Sequence, residues 1–435
     1  MKHRKTTTVW RILALLAAMA LFAASCGDDL SSPTVDPLVD ETPVDETPVD
    51  ETPVDETPVD EGVAGCAGAD GTTVLIGGNA AATGGAASIG GAWEQGMEVA
   101  VDVVNENGIS VGGECYSFEL VFEDNELSPE RAIGANQRFL RDEISFVFGP
   151  GVSSIFTPAF ESMAGTDVIV FSPSTTSAAI IGTPDGTLLF RTHIPDVGPA
   201  GRLAAMADAV VDRYSPATAA ILTPQDAPGD IHTEGFTAGF ASSGVDVVYS
   251  EHFDPETVDF APFIAAIKAA DPDMVVVGYL DKWVTPFLEQ AVQADLTTPV
   301  FVGSPGATFA AAVDQPAIVN YAISVTTRAV DDADDPKTSV FRAAYEARYG
   351  AAPEAGTFWA LSYFDAVQML ARAMEIAGTV DDPPAIATAL LSPEATDYPG
   401  RTLDLTFTDI HDANYTPQMG YLESGVTAYA DVAVG

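Results

Sequence analysis

Basic residues are scarce in this chain. Its 435 residues include 18 lysines and arginines against 63 aspartates and glutamates, which gives a formal net charge of -45 at pH 7. After residue 62, 14 basic residues stand against 50 acidic ones, and only Lys268, Lys282 and Lys337 are lysines. A surface with this excess of negative charge repels phosphate backbones and anionic membranes. The composition therefore argues against a nucleic-acid partner, and it does not identify a ligand.

Histidine is also scarce, and the sequence has no catalytic motif. No two histidines have the spacing of metal ligands, and the nucleophile motif Gly-x-Ser-x-Gly is absent. A surface enzyme is therefore the weakest of the alternatives, and we expect no metal and no cofactor. The five histidines are His3, His193, His232, His252 and His411.

Long apolar runs are absent except near the N-terminus. Four basic residues accompany the 13-residue apolar run Ile12–Ala24, which is shorter than the ~20 residues of a membrane span and typical of a secretory signal. The following Ala23-Ala24-Ser25-Cys26 resembles the lipobox of bacterial lipoproteins. This resemblance implies a signal peptide over residues 1–25 and a lipid on Cys26 that anchors the protein outside the cytoplasm at the bacterial membrane. An ordinary signal peptide followed by a chance cysteine is the alternative.

An acidic repeat follows the leader. The unit Val39-Asp40-Glu41-Thr42-Pro43 occurs four times, and a fifth copy begins at Val59. Proline at every fifth position breaks helices, and the repelling carboxylates favour an extended chain. We predict that residues 26–65 form a lipidated, disordered tether that reaches on the order of 100 Å at ~3 Å per residue. Slippage of a repetitive gene without a selected role would explain the same pattern.

Only three cysteines are present, and one of them is assigned to the lipid. Cys66 precedes the first predicted strand, and Cys115 precedes the second. If these strands are parallel neighbours, their amino-terminal ends lie together, and secreted proteins fold in an oxidising space. We predict a disulfide between Cys66 and Cys115, with two free thiols as the alternative.

From Thr72 onward, short apolar strands alternate with amphipathic helices. Strand Thr73–Gly77 precedes helix Ala92–Glu106, and strand Phe118–Phe122 precedes helix Ser128–Asp142, in which Ser128 is the expected cap. Such alternation indicates parallel sheets covered on both faces, and about 370 residues are too many for one core. The sequence predicts an α/β fold with two doubly wound parallel sheets. The later predicted helices are Ser154–Ala164, Gly198–Tyr214, Thr233–Ser243, Phe260–Ala270 and Trp283–Gln293.

Ligands of such sheets bind beyond the carboxyl ends of the strands. In this chain those ends lead into residues 78–85, 149–154 and 172–176, which are rich in glycine, proline and small hydroxyl side chains. Backbone amides and hydroxyls at the start of a helix form a cradle for a carboxylate or another polar head group. Ser153 or Ser154 would otherwise serve only to cap the next helix. The spacing alone leaves ligand contact and capping equally open.

Taken together, the segments resemble the type I periplasmic binding proteins, in the leucine/isoleucine/valine branch of ABC-transporter receptors. The resemblance covers about residues 72–430 and implies two lobes that are joined by three crossovers and close on a ligand. Lobe 1 would be residues 66–192 with 329–400, and lobe 2 residues 193–328 with 401–435. The segments that carry the resemblance, in family order, are Thr83-Gly84, Gly96–Gly108, Phe122-Glu123-Asp124, Gly149-Pro150 with Ser153-Ser154, Ser172–Thr176, Phe190-Arg191, Asp259-Phe260 and Phe364-Asp365-Ala366.

The resemblance also implies a ligand site on lobe 1. Ser153 would hold the ligand's carboxylate, with Ser154 in its place if the loop is shifted by one residue. Thr176 would donate through its hydroxyl, and Ser174 and Thr175 would donate chiefly through their backbone. The ligand-binding residues predicted on this lobe are Thr83, Ser153, Ser154, Ser174, Thr175 and Thr176.

On the amine side, the chain departs from the family pattern. The branched-chain receptors have an acidic residue after the strand that here ends at Val302, whereas this chain continues with Gly303-Ser304-Pro305-Gly306. Asp226, Tyr279 and Asp281 are the predicted lobe 2 contacts. Either acid would neutralise an ammonium, or both are solvated loop residues.

Three large side chains near the same regions have two interpretations each. Trp283 either covers the ligand or packs in the core. Arg191 and Arg328 lie at or near crossovers, where they either form salt bridges or bind carboxylates.

The resemblance implies a solute receptor that performs no chemistry of its own. It would capture a small polar solute, an amino acid or a related compound, by closure of the two lobes. The closed receptor, expected to be a monomer, would dock on a membrane permease whose partner subunits hydrolyse ATP. A sensor of the same fold is the alternative; it would report an amide, urea or a small carboxylate to a signalling partner.

Overall fold

The computed structural model describes residues 66–68, 71–177, 188–198, 201–278, 281–302, 320–325, 327–423 and 426–433. The strands of the first sheet are β1 Thr72–Ala80, β2 Ile109–Val111, β3 Glu114–Asp124, β4 Phe146–Phe148, β5 Ile169–Phe171 and β6 Leu188–Phe190. Their order is β2-β3-β1-β4-β5-β6, and every neighbouring pair is parallel except the edge hairpin β2–β3.

The second sheet combines parallel strands from the middle of the chain with an antiparallel pair from its end. Its strands are β7 Thr218–Pro224, β8 Asp246–Phe253, β9 Met274–Val277, β10 Val300–Val302, β11 Asn320–Val325, β14 Gln418–Glu423 and β15 Val426–Asp431. Their order is β15-β14-β11-β10-β9-β7-β8. A small hairpin of β12 Thr406–Phe407 and β13 Ala413–Asn414 precedes the final pair. The predicted α/β class with two parallel sheets is confirmed, whereas the antiparallel edges were not predicted.

The helices follow the predicted alternation, although several begin at other residues. Ser128 is the N-cap of α2 and accepts a hydrogen bond from the Arg131 amide at 3.3 Å, as the Ser-Pro start predicts. Helix α5 begins six residues earlier than predicted, because Asp226 caps a first turn whose Pro228 lacks an amide hydrogen. The helices are α1 Ala87–Asn107, α2 Pro129–Arg141, α3 Ser153–Glu161, α4 Arg202–Tyr214, α5 Ala227–Ser242, α6 Ala261–Ala270, α7 Asp281–Gln293, α8 Ser339–Tyr349, α9 Leu361–Ala377, α10 Pro383–Leu390 and α11 Pro393–Thr396.

The central parallel strands are buried on both faces, which explains their continuous apolar runs. All residues of β4, β5 and β9 are buried. Across neighbouring strands, the rings of Phe148 and Phe171 stack with centroids 4.8 Å apart. The helices therefore lie over the sheet faces, and the loops at the strand ends are left to form sites. No helix in the described ranges is long and apolar enough to cross a membrane.

The predicted disulfide is confirmed. Cys66 and Cys115 are bonded, with their Cα atoms 5.5 Å apart. Thr72 of β1 is paired in parallel with Tyr116 of β3, so the amino ends of the two strands lie together as the sequence argument required.

The two arginines near the crossovers form buried salt bridges. Arg191 is 1% exposed, and its Nε and Nη2 donate to the carboxylate of Asp412 at 2.6 and 2.9 Å. Arg328 donates to Asp335 at 2.7 Å and lies 3.4 Å from Asp431. Of the two interpretations offered by the sequence, the structure shows the salt bridges. The lobe boundaries themselves stay a prediction.

Candidate functional site

The first sheet brings two of the predicted loops together at its carboxyl edge. Strands β4 and β5 pair in parallel with Phe148 opposite Phe171, so residues 149–154 and 172–176 begin side by side. The Gly149 amide donates to the Phe171 carbonyl at 2.9 Å. Gly149 has a φ of +98°, and a Cβ there would lie 2.1 Å from the Asn79 carbonyl oxygen. Only glycine fits this position, which holds the loop close to β1.

Residues 149–154 and 172–176 form a cradle at this edge of the sheet. Helix α3 starts in the cradle and has no side-chain cap. Its N-cap residue is Val152, and no side chain accepts a hydrogen bond from its first turn. Ser153 is half-buried and Ser154 is exposed. Neither serine has the capping role that the sequence left open. Because the first amides of a helix lack intrahelical partners, this end of α3 is suited to an anionic or polar group.

The loop after β5 adds hydroxyl groups of two kinds. Ser174 is 8% exposed, and its Oγ has no hydrogen-bond partner among the described residues. Thr175 is fully buried, and its hydroxyl is hydrogen-bonded to the hydroxyl of Ser172. The side chain of Thr175 therefore stabilises the loop, whereas the buried Ser174 hydroxyl makes no hydrogen bond of normal geometry within the described residues.

Thr176 is committed to a partner within the protein. Its hydroxyl donates to Asp196 Oδ2 at 2.6 Å, and its carbonyl accepts from the Asp196 amide at 3.1 Å. Asp196 is buried and lies 2.7 Å from the Arg202 guanidinium. Burial alone would raise the pKa of Asp196, but the charge of Arg202, the two neighbouring histidines and the Thr176 hydrogen bond together outweigh it and lower the pKa below its ordinary value. In this arrangement, Thr176 offers a ligand its backbone amide rather than its hydroxyl proton.

Two buried histidines lie in the field of this ion pair. Burial, helped by the positive charge of Arg202, lowers the pKa of His193 to about 4. Burial also lowers the pKa of His232 to about 4, although the charge of Asp196 opposes the shift. Both imidazoles are therefore neutral at pH 7, and the ion pair is left as the charged part of the cluster.

Two aromatic residues behind the cradle were missed by the sequence argument. Trp93 is buried against Gly151, where a Cβ would lie 2.6 Å from its ring, and its Nε1 has no partner in the described structure. The ring of Tyr363 lies 5.9 Å from that of Trp93. The Tyr363 hydroxyl faces Ser174 without a hydrogen bond of normal geometry, and burial raises its pKa. Both residues come from helical regions, whose patterns indicate only core packing.

Thr83 lies at the same sheet edge but is exposed. Its hydroxyl donates to Asp124 Oδ2 at 2.5 Å, and its amide lies 3.3 Å from Oδ1. This pair ties the loop after β1 to the end of β3. Among the described residues, no group of histidine, cysteine and acidic side chains is arranged to hold a metal ion.

The residues predicted to contact the ligand from lobe 2 are only partly described. Asp226 is the N-cap of α5, and its Oδ1 accepts from the Gly229 amide at 2.8 Å. Tyr279 lies outside the described residues, and Asp281 is described only as the first residue of α7. Trp283 is 3% exposed and donates from Nε1 to the Pro255 carbonyl at 2.8 Å. Trp283 is thus a core residue, and the ligand contacts of the other three stay predictions.

Comparison with known proteins identifies relatives of one kind. A family model described as periplasmic binding protein matches residues 73–415. A leucine-, isoleucine-, valine-, threonine- and alanine-binding protein of Pseudomonas aeruginosa is 27% identical over 316 residues, which cover 71% of this chain and 79% of that protein. A Leu/Ile/Val-binding protein homologue of Brucella melitensis is 27% identical over 47% of this chain and 54% of its own length.

A solved structure shows the same fold. The substrate-binding protein of a branched-chain amino acid transporter from Streptococcus pneumoniae, determined in complex with isoleucine, superposes with a TM-score of 0.68. The two chains share 22% identity, and the superposition covers 83% of this chain and 99% of the other.

Proposed function

Because the chain belongs to the periplasmic binding protein family, we propose that it is the solute receptor of an ABC importer. The family and the relatives are binding proteins of transporters and not enzymes. Family membership implies a place outside the cytoplasm and a small-molecule ligand. The ligand that we propose is an amino acid or a related small polar solute, which the receptor delivers to a membrane permease.

One observation carries the choice of ligand class. The buried Ser174 hydroxyl lacks a partner in the described structure, and it lies on the loop next to the uncapped start of α3. Hydrogen bonds to a charged group contribute about 1.5–3 kcal/mol each. A carboxylate placed between Ser153 and Ser174 would accept from both serines and from the amide of Thr176. This cradle supports a ligand with at least one carboxylate or an equivalent acceptor group.

Lobe 2 provides the remaining contacts in the proposal. Asp226, Tyr279 and Asp281 would touch the ligand when the lobes close, and either acid would neutralise an ammonium. Closure is driven only by ligands that bind the closed form better than the open one. A ligand must therefore contact both lobes to be retained.

Attachment to the membrane completes the proposed assembly. Cys26 would carry the lipid, and residues 26–65 would link it to the folded domain at Cys66. The tether lets a monomeric receptor reach its permease while the lipid prevents its loss. A Cys26→Ser variant that still fractionated with membranes would contradict the anchor.

The proposal is tested by calorimetry of the folded domain against a panel of ligands. The panel contains branched-chain and small amino acids, benzoate as a carboxylate without an amine, acetamide and urea. We expect one class to bind and to raise the melting temperature by mass action. The double variant Ser153→Ala with Ser174→Ala removes both proposed side-chain donors and should lose this binding while keeping the wild-type melting temperature within a few degrees. An unchanged dissociation constant in that variant would rule out the proposed cradle.

A further inference from the structure

The described residues form a second pocket, of about 390 Å³, away from the cradle. It lies between the carboxyl-terminal end of α1, the start of β2 and the second half of α9. Helix α1 follows β1 and runs back along the first sheet for 21 residues, which is about 30 Å at 1.5 Å per residue. The pocket is therefore near the amino edge of the strands, whereas Ser153 and Ser174 are at the carboxyl edge.

The pocket combines an apolar wall with one buried polar group. Val104, Ile109 and Ala371 form the wall and are each less than a tenth exposed. Gln368 lines the same pocket, is 7% exposed, and has no hydrogen-bond partner for Nε2 among the described residues. A buried donor without a partner costs free energy, and an acceptor placed in the pocket would recover it.

Other polar groups of the lining already have partners within the protein. Glu375 accepts from the Ser110 amide at 3.2 Å and from Arg372 Nη1 at 3.0 Å. The side-chain amide of Asn107 donates from Nδ2 to the Val103 carbonyl of the same helix at 2.9 Å. The donor of Gln368 is therefore the group in this wall that a ligand would satisfy.

The charged side chains around the pocket are paired with one another. Arg372 pairs with Glu375 at 3.0 Å, and Asp397 of the lining pairs with Arg401 beside it. An anion therefore meets no unpaired cation among the described lining residues, and the strongly acidic domain repels carboxylates and phosphates. The volume is within the 300–1,000 Å³ that is typical of small-molecule sites.

One wall of the pocket packs against the disulfide. Gly108 lines the pocket, and a Cβ at this position would lie 2.4 Å from the Cβ of Cys66. Cys66 is bonded to Cys115 at the edge of the first sheet. A wall that packs against a cross-link has less freedom to lose, which lowers the entropic cost of binding.

We propose that this pocket is a second small-molecule site, specific for compact neutral molecules that carry a carbonyl group, such as amides and lactams. The carbonyl oxygen accepts from Gln368 Nε2, and the ring or alkyl body packs on Val104 and Ala371. This site is independent of the proposed solute cradle.

The probe is δ-valerolactam, an uncharged cyclic amide, added to the folded domain. Tetrahydropyran is the matched probe, because it is uncharged and has the same ring size but no carbonyl. We expect the lactam to bind, with crystal density against Gln368, and tetrahydropyran to bind at least about tenfold more weakly, the equivalent of one lost hydrogen bond. Equal affinities, or no lactam binding, would overturn the proposal.

Variants separate this site from the cradle. Gln368→Leu removes the donor at similar volume and should weaken lactam binding about tenfold, whereas Gln137→Leu on the exposed face of α2 should leave it unchanged. Ala371→Phe fills the pocket from its apolar wall and gives an independent check if Gln368→Leu alters the fold. Ser153→Ala should keep lactam binding in the pocket. Equal affinities in wild type, Gln368→Leu and Ala371→Phe would show that the pocket is not the site.

Discussion

The carboxyl edges of the two sheets use their polar groups differently. At the first sheet, α3 starts without a side-chain cap, and the buried hydroxyl of Ser174 has no partner in the described structure. At the second sheet, Asp226 caps α5, and the hydroxyls of Thr223 and Thr233 are hydrogen-bonded at 2.7 Å. At the first edge a buried donor is left without a partner among the described residues, whereas the described groups of the second edge serve its own fold.

This difference suggests an order of events for the proposed receptor. A preorganised set of donors binds a ligand without rearrangement, so the first sheet would hold the carboxylate in the open form. The second sheet would add contacts only on closure, because its groups must be shared between fold and ligand. Loss of a group at the first edge should then affect binding more than folding, and the reverse should hold at the second edge.

The largest expected effect comes from breaking the buried bridge between Arg191 and Asp412. Arg191→Met leaves the Asp412 carboxylate buried without its partner and should lower the free energy of unfolding by about 3–5 kcal/mol. Urea unfolding measures this loss. Arg131→Met removes an exposed ion pair and should change the free energy of unfolding by no more than about 1 kcal/mol. Equal losses in the two variants would show that the buried bridge contributes no more to stability than the exposed ion pair.

Acid should destabilise the folded protein through the buried cluster of Asp196, Arg202, His193 and His232. As the pH falls below about 6.5, the unfolded chain protonates His193 and His232, whereas the folded chain resists until about 4. Stability is therefore complete above pH 6.5 and is lost as the pH falls towards 4, by up to about 3 kcal/mol for each histidine. Asp365, whose pKa burial raises to about 6, offsets part of this loss. Thermal unfolding of His232→Gln should show a shallower decline, and parallel declines in variant and wild type would contradict the prediction.

The two serines at the start of α3 provide a matched test of the first edge. Ser153 is half-buried in the cradle, and Ser154 is exposed one residue further on. Ser153→Ala should weaken binding of the identified ligand about 10- to 100-fold, the equivalent of one hydrogen bond to a charged group. Ser154→Ala should change it less than about twofold by calorimetry. The opposite result would shift the site by one residue.

The smallest expected effect is at the second edge. Asparagine caps a helix as well as aspartate does, so Asp226→Asn should keep the free energy of unfolding within about 0.5 kcal/mol. If its charge meets an ammonium, the affinity for an amino acid should fall a few-fold while that for an amine-free carboxylate stays constant. Glu234→Gln, on the exposed side of the same helix, is the control. Equal changes for both ligand types would remove Asp226 from the amine site.

Roles that depend on neighbours in the chain were predicted well, as for Ser128, whose capping of a helix follows from Ser-Pro chemistry. The disulfide of Cys66 and Cys115 was predicted on the condition that β1 and β3 are parallel neighbours, and the structure shows that pairing. The early start of α5 and the antiparallel hairpin β2–β3 were missed. Pro and Gly residues in α5 obscured its helical pattern, and β2 is only three residues long.

The sequence by itself determined the strand–helix alternation and the acidic charge, and it predicted the loops at the first sheet edge and the cysteine pair. Alternation and charge depend on periodicity and composition, which are written along the chain, whereas the strand order that brings Cys66 to Cys115 is a property of the fold. Only the tertiary structure decided which hydroxyls are already committed: Thr176 donates to Asp196, whereas Ser174 stays open. It also placed Trp93 and Tyr363 behind the cradle and Gln368 in a separate pocket. Hydrogen-bond partners distant in sequence depend on how the helices and sheets pack, and no local pattern records them.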